Sequence, residues 1–189
     1  KNIYIHEKDS EIIRNYDART DYMLERIDNF LITTGMSDAL REGIIGLYRS
    51  DKERFKPKNM NHHVIDVHDN DEIIDGHKVH YTPGHSPGAI CLEVGDFLFT
   101  GDHLLSKITP VQFPGSIMKG AGLRVYRDSL TKIALASFQK DLYGLPGHEK
   151  DIYPVSGRIE EIRRFHEERL KDIEKICKEG KNIYEVTVE

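Results

Sequence analysis

Apolar residues recur along the chain at two different spacings, and these divide it into helical and extended stretches. Ile3-Tyr4-Ile5-His6 is rich in β-branched and aromatic residues and predicts a short opening strand. Asp9 or Ser10 is placed to cap a helix after it. Over residues 20–34, Met23, Leu24, Ile27, Phe30 and Leu31 fall on one helical face, with Thr20 as the expected N-cap and Gly35 as the stop. A second helix is expected over residues 37–49, its apolar face being Leu40, Ile44, Ile45, Leu47 and Tyr48. The charged run over residues 50–58, which contains Pro57, reads as a connector.

The period then changes to two. Residues 64–67 predict a strand. Glu72-Ile73-Ile74, the turn signal Asp75-Gly76 and the alternating stretch 77–82 predict a hairpin. Residues 89–94 and 97–100 predict two more strands around a turn at Gly95-Asp96. Helical spacing returns over 126–138 through Leu130, Ile133 and Ala134, and residues 142–145 form a short apolar strand before Pro146-Gly147-His148. A long helix is expected over 156–178, with Ile159, Ile162, Phe165, Leu170, Ile173 and Ile176 on one face and Gly180 after it. Ile183-Tyr184-Glu185-Val186 opens a further tail.

Composition narrows the class. The 189 residues suffice for one domain with a core, and 38% hydrophobic with 31% charged residues is a globular balance. A net charge of −5 argues against a polyanion-binding face, so nucleic acid is not the expected partner. The longest apolar runs fall far short of a membrane span. The two cysteines, Cys91 and Cys177, lie far apart without metal spacing, which is simplest as reduced thiols in a cytoplasmic protein.

The chain has ten histidines, and three short segments organise some of them. Tyr81-Thr82-Pro83-Gly84-His85-Ser86, Phe99-Thr100-Gly101-Asp102-His103 and Leu145-Pro146-Gly147-His148 each set a metal-capable side chain beside a glycine at the end of an apolar strand. Two imidazoles and a carboxylate make a mixed nitrogen and oxygen donor set suited to zinc, iron or manganese. On residue chemistry alone two readings stand side by side: one metal site, or three unrelated turns whose histidines bond to backbone.

The ordered run Thr82-Pro83-Gly84-His85-Ser86-Pro87-Gly88, then Phe99-Thr100-Gly101-Asp102, then Pro146-Gly147-His148, resembles the later motifs of the metallo-β-lactamase superfamily. Gly101-Asp102-His103-Leu104-Leu105 through Ile108-Thr109-Pro110 resembles a narrower group of lactamase-B-like hydrolases, which have a helical insertion and a winged-helix-like tail. The resemblance implies an α/β fold, a metallo-β-lactamase-like αββα sandwich incomplete at its N-terminus. It places a partial domain over 1–178, a helical insertion over about 9–58, a C-terminal helix, and the start of a truncated tail over 179–189. It implies His85 as a ligand to a first metal, Asp102 as a carboxylate bridging two metals and His148 as a ligand to the second, with zinc expected and iron or manganese as alternatives. Ser86, Thr100 and His103 are then supporting or pocket residues. The implied activity is hydrolysis of an ester, thioester, lactone or phosphodiester in a small-molecule substrate.

Two departures qualify this. The superfamily's leading His-x-His-x-Asp-His motif is absent, and His62-His63 does not replace it. Three ligands spread over two sites leave neither with a full shell, so the chain alone is expected to bind metal weakly and to be inactive. The alternative reading is a non-catalytic scaffold or partner-binding fragment, self-associating through an exposed sheet. The second departure is small: the family's final Gly-His-Gly is here Gly147-His148-Glu149. Among the remaining histidines, His62 and His63 read as a solvated loop, His77 and His80 as opposite faces of one strand, His166 as a structural contact, and His6 receives no role. The glycine-rich stretch 113–122 lacks a phosphate-loop ending and is expected to be a loop beside the site that serves as a lid.

Overall fold

The structure is a computed structural model that describes residues 2–57, 63–138, 140–178 and 180–188. The elements run β1 (Asn2–His6), α1 (Glu7–Arg14), α2 (Tyr16–Ile32), α3 (Asp38–Phe55), β2 (His63–Val67), β3 (His77–Tyr81), β4 (Ile90–Val94), β5 (Phe97–Gly101), α4 (Leu123–Ser137), β6 (Tyr143–Pro146), α5 (Val155–Cys177) and α6 (Ile183–Val188). The chain divides into two compact units, Lys1–Glu11 with Asn61–Arg163, and Ile12–Met60 with Arg164–Glu189. No helix among the described residues is long and apolar enough to cross a membrane.

The first unit holds both sheets. β1 and β2 pair in parallel, and β3-β4-β5-β6 form a four-stranded sheet. Within it β3–β4 and β4–β5 are antiparallel and β5–β6 is parallel. Strands β3, β5 and β6 therefore all run in one direction, and their C-terminal ends share one edge. The two faces of this sheet differ. His80, Cys91, Leu98 and Gly144 point to one side by register and strand alternation. There Cys91 and Leu98 join Leu104, Tyr126, Leu130, Ile133, Leu142, Val155, Ile159 and Ile162 in the main core, under α4 and the start of α5. The opposite face carries Leu92, Val94, Phe97, Phe99, Tyr143 and Leu145, and its aromatic residues Phe97 and Phe99 are 48% and 46% exposed.

The second unit contains α2 and α3, with Ile27 and Ile45 buried. Arg41 pairs with Asp28 at 2.7 Å, Lys52 with Asp21 at 2.5 Å and Lys56 with Asp17 at 2.7 Å. These contacts correct the expected connector. Helix α3 continues through residues 50–55 because Lys52, Glu53 and Arg54 are good helix formers and no Gly or Pro falls between residue 50 and Pro57. The apolar stripe ends earlier, and charged partners on α2 hold the last turns. Thr20 is likewise no cap. It sits inside α2, its hydroxyl donating to the Tyr16 carbonyl at 2.7 Å, and Asn15 occupies the cap position. Helix α1 begins at Glu7, ahead of both expected caps, and Ser10 donates to the Glu7 carbonyl at 2.9 Å. The expected strand at 72–74 reduces to one bridge, Glu72 to Lys78. Tyr184 N–H donates to the Thr34 carbonyl at 2.9 Å, at the start of α6 in the tail.

Candidate metal centre

The common direction of β3, β5 and β6 brings three loops to one edge of the sheet. His85 lies in the loop after β3, Asp102 directly after β5 and His148 two residues beyond β6. Asp102 stands between the two imidazoles. Its Oδ2 lies 3.7 Å from His85 Nε2 and its Oδ1 lies 3.5 Å from His148 Nε2. Both distances exceed the ~2.7–2.9 Å of a charge-assisted hydrogen bond. They are near the roughly 3.4 Å that separates two donors sharing one tetrahedral zinc ion, given bonds of about 2.0–2.1 Å. Each carboxylate oxygen thus faces one histidine, the disposition a bridging carboxylate requires. The side chains of His85, Asp102 and His148 are 35%, 41% and 53% exposed, so the cluster opens to solvent.

Local structure fixes each member. Gly84 N–H donates to the Ser86 carbonyl, and a Cβ on Gly84 would lie 2.6 Å from the Tyr126 Cα, so only glycine passes this point on α4. His85 Nδ1 lies 2.8 Å from the Val111 carbonyl. A carbonyl only accepts, so Nδ1 carries a proton, and in the neutral imidazole the lone pair is then on Nε2, facing Asp102. The Thr100 hydroxyl donates to the Leu104 carbonyl at 2.8 Å, and His103 N–H donates to the Thr100 carbonyl at 2.9 Å, closing the turn that presents Asp102. Gly147 N–H donates to the Gly101 carbonyl at 2.9 Å, and a Cβ on Gly147 would come within 2.9 Å of Asp102 Oδ1. Glycine here lets the β6 loop lie against the β5 loop.

The supporting residues divide. The Ser86 hydroxyl donates to Asp9 on α1, a contact that no local motif announces. His6 is buried and stacks on the Tyr81 ring at 4.1 Å, and the Tyr81 hydroxyl donates to the Pro87 carbonyl at 2.8 Å. His6 therefore braces the His85 loop from β1. Burial, and then Lys8, lower its pKa. His103 is buried beside Tyr126, ring centroids 5.2 Å apart, and neither ring nitrogen has a hydrogen-bond partner among the described residues. Burial pushes its pKa down to about 3, so it is a neutral core residue. His80 is buried on the helix-covered face and its Nε2 lies 2.7 Å from Glu93 Oε2, whereas His77 occupies the other face. His63 is exposed at the start of β2, and His62 lies outside the described residues. In the glycine-rich stretch, Ile117 and Ala121 are buried and Gly122 N–H donates to the Gly84 carbonyl at 3.0 Å, which ties its end to the His85 loop.

The donor chemistry fits half of a two-metal centre, with an imidazole and one carboxylate oxygen on each side. Among the described residues no group of three or more His, Cys, Asp or Glu side chains is arranged to hold a single ion.

Solved structures share the fold. The metallo-beta-lactamase family protein TTHA1429 from Thermus thermophilus aligns with a TM-score of 0.68 at 21% identity, over 91% of this chain and 55% of that one. A beta-lactamase domain protein from Burkholderia ambifaria gives a TM-score of 0.64 at 19% identity, over 93% and 49%. TTHA1623, solved in a di-iron-bound form, gives 0.52 at 18% identity, over 82% and 61%. The chain thus spans roughly half to three-fifths of the length of the structures it resembles. No curated protein matched it. The family model described as metallo-beta-lactamase superfamily matches residues 3–142, most of the chain, and the chain belongs to the metallo-beta-lactamase superfamily.

Proposed function

We propose that this chain carries one half of the metal centre of a hydrolase acting on an ester, thioester, lactone or phosphodiester. The observation that carries the reading is the meeting of His85, Asp102 and His148, one carboxylate oxygen facing each imidazole. His85 and Asp102 would hold one ion, and Asp102 and His148 the other. Zinc is the expected metal, and the same donors suit iron or manganese. The di-iron form of TTHA1623 supports a two-metal reading. When bound, two such ions supply polarisation of a carbonyl or phosphoryl oxygen and lower the pKa of the attacking water. The protein's part is positional. Val111 keeps the proton on His85 Nδ1, Thr100 holds the Asp102 turn, and Gly147 lets His148 approach. With two protein donors per ion, the chain by itself binds zinc weakly and turns over slowly or not at all.

Zinc titration followed by elemental analysis, on wild type, Asp102→Asn and His148→Ala, tests this. The expected result is uptake in wild type that falls at least roughly tenfold in affinity in both variants. Equal uptake in all three would sink the assignment.

A second reading, a non-catalytic scaffold, is favoured by one observation: on the sheet face away from the main core, Phe97 and Phe99 of β5 are about half exposed. On that reading the face is a contact surface for another copy of the chain. A panel of ester, thioester, lactone and phosphodiester substrates, assayed with added zinc, puts the scaffold reading at risk. Metal-dependent turnover of any of them removes the scaffold reading.

A further inference from the structure

Glu149 follows His148 at the position where the family motif has glycine, and its backbone has φ +74. That is the left-handed region, which residues with side chains rarely adopt. A strained residue beside a site persists only when surrounding contacts hold it, so its partners are informative. Glu149 Oε2 accepts a hydrogen bond from Lys107 N–H at 2.8 Å and a longer one from the Ser106 hydroxyl at 3.4 Å. Ser106 Oγ in turn accepts from Lys150 N–H at 3.3 Å. The loop after Asp102 and the loop bearing His148 are thus joined by the Glu149 and Ser106 side chains.

Residues 105–108 have no sheet or helix ladder, so their backbone groups must find partners elsewhere. On the carbonyl side, Arg158 Nε donates to Leu105 O at 2.7 Å and Nη2 to Ile108 O at 3.0 Å. On the amide side, the Glu149 carboxylate takes Lys107 N–H. Three residues beyond Ile108 comes Val111, whose carbonyl lies 2.8 Å from His85 Nδ1. Buried Pro110 lies between and stiffens that span. Held by Glu149 and Arg158, the loop delivers a fixed carbonyl to His85.

We infer that Glu149 is a positioning residue that couples the two histidines of the centre, tying the His148 loop to residues 106–107 and, through the 105–111 loop, fixing the His85 tautomer. The inference rests on the reading of His85, Asp102 and His148 as a metal centre. Glycine at 149 would relieve the backbone and release the loop. Among the described residues Glu149 makes no hydrogen bond to Val111 or Asp102, so an effect on His85 would travel through the loop.

The test uses the metal-free chain with 15N-labelled histidine, at mildly alkaline pH where exposed imidazoles are neutral. Wild type is expected to show His85 as the Nδ1–H tautomer. Glu149→Gly, which suits φ +74 and should fold, is expected to move His85 toward the mixture of a free imidazole. It should also speed amide exchange at Lys107 about tenfold and weaken zinc binding about tenfold, the usual cost of losing a group that orients a ligand. Glu149→Gln keeps one acceptor oxygen and should restore the wild-type tautomer. An unchanged His85 tautomer and unchanged Lys107 exchange in Glu149→Gly would overturn the inference. A tautomer shift in a protein whose wild type binds no zinc would instead overturn the metal reading and leave the coupling in place.

Discussion

Replacing His103 by leucine should remove a pH dependence of stability that wild type carries. His103 is 1% exposed, and both ring nitrogens lack partners among the described residues. Burial lowers its pKa from 6.5 to about 3. The unfolded chain therefore takes up a proton near pH 6.5 that the folded chain refuses until about pH 3. Stability from this group is complete above the unfolded value and is lost as pH falls below it. The slope is about 1.4 kcal/mol per pH unit, so moving from roughly pH 7 to pH 5 costs wild type about 2 kcal/mol. Against a net stability of about 5–15 kcal/mol this is a large share. Urea denaturation followed by far-ultraviolet circular dichroism would register it as a midpoint drop of about 1 M, taking a slope near 2 kcal/mol per M. In His103→Leu the drop should be smaller by that amount. His6, also lowered by burial, titrates in both proteins and cancels in the comparison. Near neutral pH the variant should match wild type within about 1 kcal/mol. It loses the ring contact with Tyr126 but no longer buries two unpaired nitrogens. The Tyr126 hydroxyl donates to the His103 backbone carbonyl, which the substitution leaves in place. An equal acid-induced loss in wild type and variant would refute the reasoning.

Other outcomes follow from single contacts. Gly84→Ala puts a Cβ 2.6 Å from the Tyr126 Cα at φ +148, a clash with backbone, and should cost about 3 kcal/mol or more, seen as a lower Tm. Of the two thiols, exposed Cys177 should react with a disulfide reagent at once, whereas Cys91, buried with its pKa pushed up to about 12, should react only on unfolding; two fast thiols would contradict its burial. Phe97→Ser with Phe99→Ser should reduce concentration-dependent association in sedimentation velocity if the open sheet face is a contact surface, and identical profiles for wild type and variant would dismiss that role.

Much of this architecture was legible in the sequence because the relevant interactions are local. Alternation marked β3, β4 and β5, and the turns at Gly76 and Gly95 adopt the positive φ that their sequences call for. Helical spacing located α4 and α5 within a few residues, because Leu130 and Ile133 of α4 and Ile159 and Ile162 of α5 bury in the core, although Phe165 and Leu170 on the expected α5 face stay partly exposed. The end of α3 was hidden for the opposite reason. Its last turns bury little and depend on Lys52 and Lys56 meeting Asp21 and Asp17 on another helix.

The candidate site divides along the same line. Sequence alone determined that His85, Asp102 and His148 each follow a strand beside a glycine, because strand ends and tight turns are written in neighbouring residues. Tertiary structure decided that they meet, because only the shared direction of β3, β5 and β6 gathers their loops at one edge. It also decided what steadies them: Val111 on His85, Asp9 on Ser86, and Glu149 on the loop after Asp102. These partners lie 26, 77 and 42 residues away in the chain, a range at which backbone periodicity carries no information and only packing does.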